Sequence, residues 1–172
     1  MTKAGTDIRK STSSDIQAAL TIINDAAVAY RGVIPDDRWH DPYMSLEDLS
    51  REISDGIEFW VAEEGGRIVG VMGIQDKGDV TLVRHAYVAT TTQRSGVGTK
   101  LLDHIASLSE KPILIGTWAD ASWAIRFYQR NGFAVVSNTE KDKLLRMYWS
   151  IPERQIETSV VLANYRWSPS VQ

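Results

Sequence analysis

An α/β fold, a mixed and mostly antiparallel sheet of about seven strands flanked by four or five helices, is the class this sequence predicts, and three observations predict it. The first is the stretch 80–108. Its start, Val80-Thr81-Leu82-Val83-Arg84-His85-Ala86-Tyr87-Val88, is rich in β-branched and aromatic residues, as a well-buried strand requires. A polar loop then leads to Gly98, and Val97, Leu101, Leu102, Ile105, Ala106 and Leu108 fall on one face of a helix. The second observation is a pair of strand-like runs, 57–62 and 67–74, flanking Glu63-Glu64-Gly65-Gly66, which is a hairpin signal. The third is the apolar run 113–118 beyond the helix, since strand, helix, strand implies a parallel crossover.

In chain order, residues 7–10 read as a short first strand. Ser13, Ser14 and Asp15 supply cap chemistry before Ile16, Ala19, Leu20, Ile23, Ala26 and Ala27, so a first helix runs to about Tyr30. Residues 30–43 are dense in Pro, Asp and aromatics without a regular period, which predicts a structured loop. Ser45, with Asp48 three residues on, caps a second helix to Ile53. The hairpin follows, and Lys77-Gly78-Asp79 turns the chain into the central strand. After the crossover, Asp120 or Ser122 caps a helix over 123–130 that Asn131-Gly132 ends, and 133–136 resumes a strand. Leu144, Leu145, Tyr148 and Trp149 suit one short amphipathic helix stopped before Pro152, and 159–162 is a last strand. The tail 165–172 is expected to fray unless Trp167 anchors it.

Length and composition place this in one domain, residues 1–172 with a core of about 6–164: the 172 residues are 43% apolar, with six Trp, six Tyr and three Phe. A net charge of −3 with 24% charged residues argues against a nucleic-acid partner. The absence of cysteine excludes disulfides and thiol nucleophiles, and the scattered His40, His85 and His104 make a poor zinc set, so no metal is expected. Residues 1–5 lack the apolar core of a signal peptide and no apolar run approaches spanning length, so the expectation is a cytoplasmic protein with no membrane partner.

The joint Gln93-Arg94-Ser95-Gly96-Val97-Gly98 carries the first chemical signal, because glycines before a helix start expose N–H groups that bind anions, phosphate above all. A nucleoside-triphosphate loop needs Gly-Lys-Ser/Thr, and the order here is Gly98-Thr99-Lys100. A dinucleotide fingerprint needs a third glycine where Leu101 stands. A turn that tolerates glycine and holds no ligand accounts for the loop equally well.

A second stretch shifts that balance. Gln93, Gly96 and Gly98 fit the pattern Gln/Arg-x-x-Gly-x-Gly/Ala, and Ala124, Phe127, Tyr128, Gly132 and Phe133 fit Ala-x-x-Phe-Tyr-x-x-x-Gly-Phe. Together they resemble the GNAT superfamily of N-acetyltransferases, closely over 80–136 and by element order before that. The resemblance implies the GNAT, or acyl-CoA N-acyltransferase, fold and acetyl-CoA as co-substrate, with Val88, Gln93, Arg94, Ser95, Gly96, Val97, Gly98, Thr99 and Phe127 at the cofactor. It also implies transfer of acetyl to a primary amine, of a small molecule or a peptide, by direct attack in a ternary complex. Two positions depart from the family's pattern: Ala121 stands where many members have Asn, and Leu82 where many have an acidic base.

Tyr128 is the family's candidate acid for the departing thiolate, against a reading as a packed aromatic. His85 suits a general base at neutral pH, against a hydrogen-bonded structural histidine, and strand alternation groups it with Val83 and Tyr87, opposite Arg84 and Ala86. Arg84 is a candidate clamp for an anionic group of the acceptor, or one half of a cross-strand ion pair. Trp39 and His40 represent the loop 30–43 as a wall of the acceptor pocket, as does the segment 140–154. Trp39, Tyr43, Tyr148 and Trp149 suit a homodimer contact as well. His104 is expected on the solvated side of its helix. A non-catalytic acyl-CoA-binding or sensor domain, and a dinucleotide-binding domain, are the rival readings.

Overall fold

Strands form where β-branched and aromatic residues cluster, and helices where apolar residues recur at helical spacing. A computed structural model describes residues 5–169, and these make strands β1 (Thr6–Lys10), β2 (Glu58–Glu64), β3 (Arg67–Asp76), β4 (Thr81–Val88), β5 (Ile113–Trp118), β6 (Ala134–Val135) and β7 (Ser159–Ala163). The helices are α1 (Ile16–Ala27), α2 (Leu46–Ser54), α3 (Val97–Ser107), α4 (Ser122–Arg130), α5 (Asn138–Tyr148) and α6 (Glu153–Glu157). The strands lie in one sheet in the order β1-β2-β3-β4-β5-β7-β6. Pairing is parallel between β4 and β5 and antiparallel for β1–β2, β2–β3, β5–β7 and β6–β7. The chain divides into two compact units, one made of residues up to Gln75 with Arg84–Leu108, the other of Asp76–Val83 with residues from Ser109 onward.

In the first unit Thr12, rather than Ser13 or Ser14, makes a capping box with Asp15 before α1, and Ser45 and Asp48 make one for α2, as the spacing of that second pair predicts. Their apolar faces, with Ala19, Ile22, Ile23 and Leu49, bury Phe59, Val61 and Val71 of β2 and β3 in one cluster. Helix α3 covers the other face of these strands. Gly70 permits its close approach, because a Cβ there would stand 2.9 Å from Val97 Cγ1 and 3.0 Å from Leu101 Cδ1. That approach also corrects the expectation for His104: its ring centroid lies 4.9 Å from that of Trp60 and its Nε2 is buried, rather than solvated.

In the second unit β4 and β5 pair only over Thr81–Val83 and Ile113–Ile115, although the strands are eight and six residues long. Leu82, Leu114, Leu144, Leu145, Ile156 and Val161 form its core. Two expectations are corrected here, and an alternative left open for the tail is decided. Neither Asp120 nor Ser122 caps α4: Ala121 is the N-cap, without a side-chain bond, and it is fully buried, so packing rather than a cap sets where the helix starts. The segment 140–157 holds two helices, bringing the total to six, because Pro152 both stops α5 and opens α6. Buried Lys141 donates to the Ile156 carbonyl at 2.9 Å, which pins α6 to α5. The tail is tied down as far as Trp167, the anchor that the sequence offers against fraying. Asn164 exchanges bonds with Ile113, the Trp167 N–H donates to the Asn164 carbonyl at 3.0 Å, and the Trp167 ring packs on the core. Residues 170–172, and the N-terminal reading for 1–4, lie outside the described residues.

Candidate active site

The loop after β4 is shaped by its own polar side chains. Gln93 Nε2 donates to the Val88 carbonyl at 3.2 Å, and the Ser95 hydroxyl donates to the Thr92 carbonyl. The backbone turns left-handed at Arg94, with φ 68°, and again at Gly96, with φ 84°, which is the N-cap of α3. No side chain caps this helix start. The N–H groups of Val97, Gly98 and Thr99 therefore lack intrahelical partners at the positive end of the helix dipole. Gln93, Arg94, Ser95 and Gly96 are exposed, Gly98 and Thr99 half-buried, while Val97 is buried and anchors the turn. An uncapped, accessible turn of this kind fits a pyrophosphate.

The other side chains of interest in the first unit meet on the face that α1 and α2 cover. His85, within β4, has φ 54°, which strand alternation does not accommodate. Arg84 and His85 consequently do not point to opposite faces, correcting the alternation read from sequence. Arg84 Nη1 donates to Oε1 of Gln75 at 3.2 Å, and Gln75 lies two residues from Gly73, the pairing partner of Phe59. His85 lies over that same Phe59, with ring centroids 6.0 Å apart. On α2, Glu52 Oε2 stands 2.5 Å from His85 Nε2, and the two side chains are 25% and 12% exposed. The ring N–H does not point along this contact, and neither atom has another partner. A carboxylate this close favours a proton on Nε2, the arrangement in which Nδ1 is the free nitrogen of the neutral ring. Glu52 was not singled out by the sequence.

Aromatic residues wall this cluster. Tyr87 lies 6.5 Å from His85 between centroids, 6.4 Å from Tyr43 and 6.3 Å from Tyr30, and Tyr43 lies 5.7 Å from Trp39. Burial pushes the Tyr43 phenol up, with the nearby Glu52 charge adding to it, while a hydrogen bond with Tyr87 and the Arg84 charge oppose the shift. Tyr43 is thus a neutral donor at physiological pH. Trp39 joins the wall, with its indole N–H buried and unpartnered, whereas His40 is exposed and outside the ring contacts. In the second unit, α4 carries Phe127 and Tyr128. Tyr128 is 7% exposed, its ring edge-on to Phe127 at 5.2 Å and to Phe133 at 6.1 Å.

The family model described as "Acetyltransferase (GNAT) domain" matches residues 55–135, which include the loop before α3 and all of α4. Over this stretch the chain is similar to the GNAT acetyltransferases. Its fold is theirs as well. An acetyltransferase of the GNAT family from Staphylococcus aureus Mu50 has a TM-score of 0.69 at 18% identity, covering 95% of this chain and 100% of that one. The PaiA N-acetyltransferase from Thermoplasma acidophilum, in complex with coenzyme A, has a TM-score of 0.69 at 16% identity, covering 93% of this chain and 98% of that one. A curated relative, "Probable N-acetyltransferase camello" from Xenopus laevis, is 25% identical across 71% of this chain. The match spans 61% of that relative's length. Among the described residues no helix is long and apolar enough to cross a membrane.

Proposed function

We propose that the chain, as a single domain of residues 1–172, is an acetyl-CoA-dependent N-acetyltransferase acting on a primary amine in a ternary complex. The observation that carries this is the uncapped start of α3 at Gly96, inside the matched GNAT domain. Acetyl-CoA would supply a thioester: the amine nitrogen bonds to its carbonyl carbon, the carbon–sulfur bond breaks, and the sulfur leaves with the electron pair.

The chain's own residues have distinct tasks in that step. The N–H groups at 97–99 hold the pyrophosphate, with Gln93, Arg94 and Ser95 around it and Val88 and Phe127 along the arm. His85 takes the ammonium proton at Nδ1, as a general base within the acceptor cluster. Glu52 holds the ring in the tautomer that leaves Nδ1 basic. Tyr128 returns a proton to the sulfur, whose unperturbed pKa of about 8.5 makes protonation profitable. Much of the acceleration comes from positioning the nitrogen against the thioester. Homodimerisation and a cytoplasmic location belong to this proposal as well.

The test is thiol release from acetyl-CoA across a broad panel of amines, run on the parent and on Tyr128→Phe. Amine-dependent release by the parent is expected, with kcat in the variant lower by roughly 10²-fold and CoA binding retained. Tight acetyl-CoA binding with no turnover on any amine would instead establish the sensor-domain reading.

A further inference from the structure

We propose that the acceptor is a small zwitterion, an amine bearing a carboxylate close to its nitrogen, which Arg84 holds by the carboxylate while the Glu52–His85 pair faces the ammonium; this rests on the acetyltransferase reading above. The decisive feature is the left-handed turn at His85. Consecutive strand residues normally point to opposite faces, but here Arg84 reaches Gln75 and His85 reaches Phe59 and Glu52 on one face. A cation and a base backed by an anion therefore come from consecutive residues and share one face, as an amino acid's two charged ends require.

Arg84 is prepared for an anion. Its side-chain partner is the neutral amide of Gln75, 9% exposed, whose Nε2 in turn donates to the Asp55 carbonyl at 3.4 Å. That amide orients the guanidinium without neutralising it. Among the described residues Arg84 forms no ion pair, so its remaining N–H groups retain the fork that a carboxylate accepts. The Glu52 carboxylate is committed to His85, and the Tyr43 phenol beside both is kept neutral by burial. A polyamine would bring a second cation toward Arg84, and a peptide N-terminus would bring an amide where the carboxylate belongs. An acceptor lacking the anion leaves a half-buried guanidinium unpaired among aromatic rings, which is where discrimination arises.

The experiment measures kcat/KM with saturating acetyl-CoA for the common α-amino acids, each beside its carboxamide and its decarboxylated amine, together with a polyamine and a short peptide. At least one amino acid is expected to exceed both of its neutralised counterparts by roughly 10- to 100-fold, the range of a charge-assisted bond. Arg84→Gln should collapse that ratio through KM, and Arg84→Lys should restore part of it, with melting curves verifying both folds. The ratio in the parent decides the matter even if a variant fails to fold. Best activity on a neutral amine, a polyamine or the peptide, with no preference for a carboxylate, overturns the proposal alone, as does an unchanged ratio in folded Arg84→Gln. No turnover of any amine by a protein that binds acetyl-CoA overturns the acetyltransferase reading together with it.

Discussion

A histidine held at positive φ inside a strand costs on the order of 1–3 kcal/mol, and such strain persists only where surrounding contacts over-determine it. Around His85 those contacts are Phe59, Tyr87 and the Glu52 carboxylate. If Glu52 acts by fixing the tautomer, Glu52→Gln keeps the size of the side chain but loses that control. We expect kcat to fall by about tenfold to 10²-fold, up to the lower end of the 10²–10⁴ that proton transfer contributes, with CoA affinity and melting temperature retained. Steady-state kinetics beside calorimetry separates this from a packing role, which would leave kcat intact. Histidine's chemistry was legible from residue type alone. Its partner was not, because Glu52 follows Arg51 on a charged helix and reads as solvent-facing until α2 is laid across β4.

At the scale of elements, α3 joins ligand chemistry to packing. Val97 is the first helical residue after Gly96 and also one of the two side chains that press on Gly70 of β3. Adding one methyl in Gly70→Ala forces Val97 and Leu101 outward, and overpacking of this kind costs about 1–3 kcal/mol. The displaced turn should also bind CoA more weakly. Denaturant midpoints and CoA titration on the same preparation check this, and loss of stability with unchanged CoA affinity would mean that the turn adjusts independently of the helix. The helices with side-chain caps, α2 above all, were readable because a cap is local. Helix α4 was misread at its start because Ala121 acts by burial, and α6 was missed because five residues are held by Lys141 and buried Ile156 rather than by their own propensity.

Across the whole molecule, stability in acid should depend on one charged junction. Arg9 on β1 donates to Asp15 before α1 at 2.7 Å and to Glu63 on β2 at 2.9 Å. The guanidinium holds the Asp15 carboxyl far below the usual carboxylate range, helped by the Thr12 backbone N–H and opposed by burial. A carboxyl whose pKa is lowered on folding contributes stability in full above its unfolded pKa of about 3.9, and loses it as pH falls toward the folded value. Asp15→Asn should therefore be less stable than the parent at neutral pH, with the gap closing below about pH 4. Urea midpoints at several pH values measure it, and a gap independent of pH would assign the effect to the capping box alone.

Periodicity, turn residues and caps are properties of neighbours along the chain, so the sequence by itself determined the order of the strands and of every helix but α6, the hairpin at Gly65-Gly66 and the glycine-bearing joint at Gln93 to Gly98. The spacing of two motifs was enough to show a resemblance to the GNAT superfamily, since a backbone cradle demands glycine at particular steps. Only the tertiary structure decided which side chains meet. The turn at His85 depends on the sheet and on α2, not on the residues beside it, and without it Arg84 and His85 would lie on opposite faces. Glu52, Gln75 and Tyr43 become groups of interest for the same reason: each is unremarkable in its own segment and acquires a role only through contact across the fold.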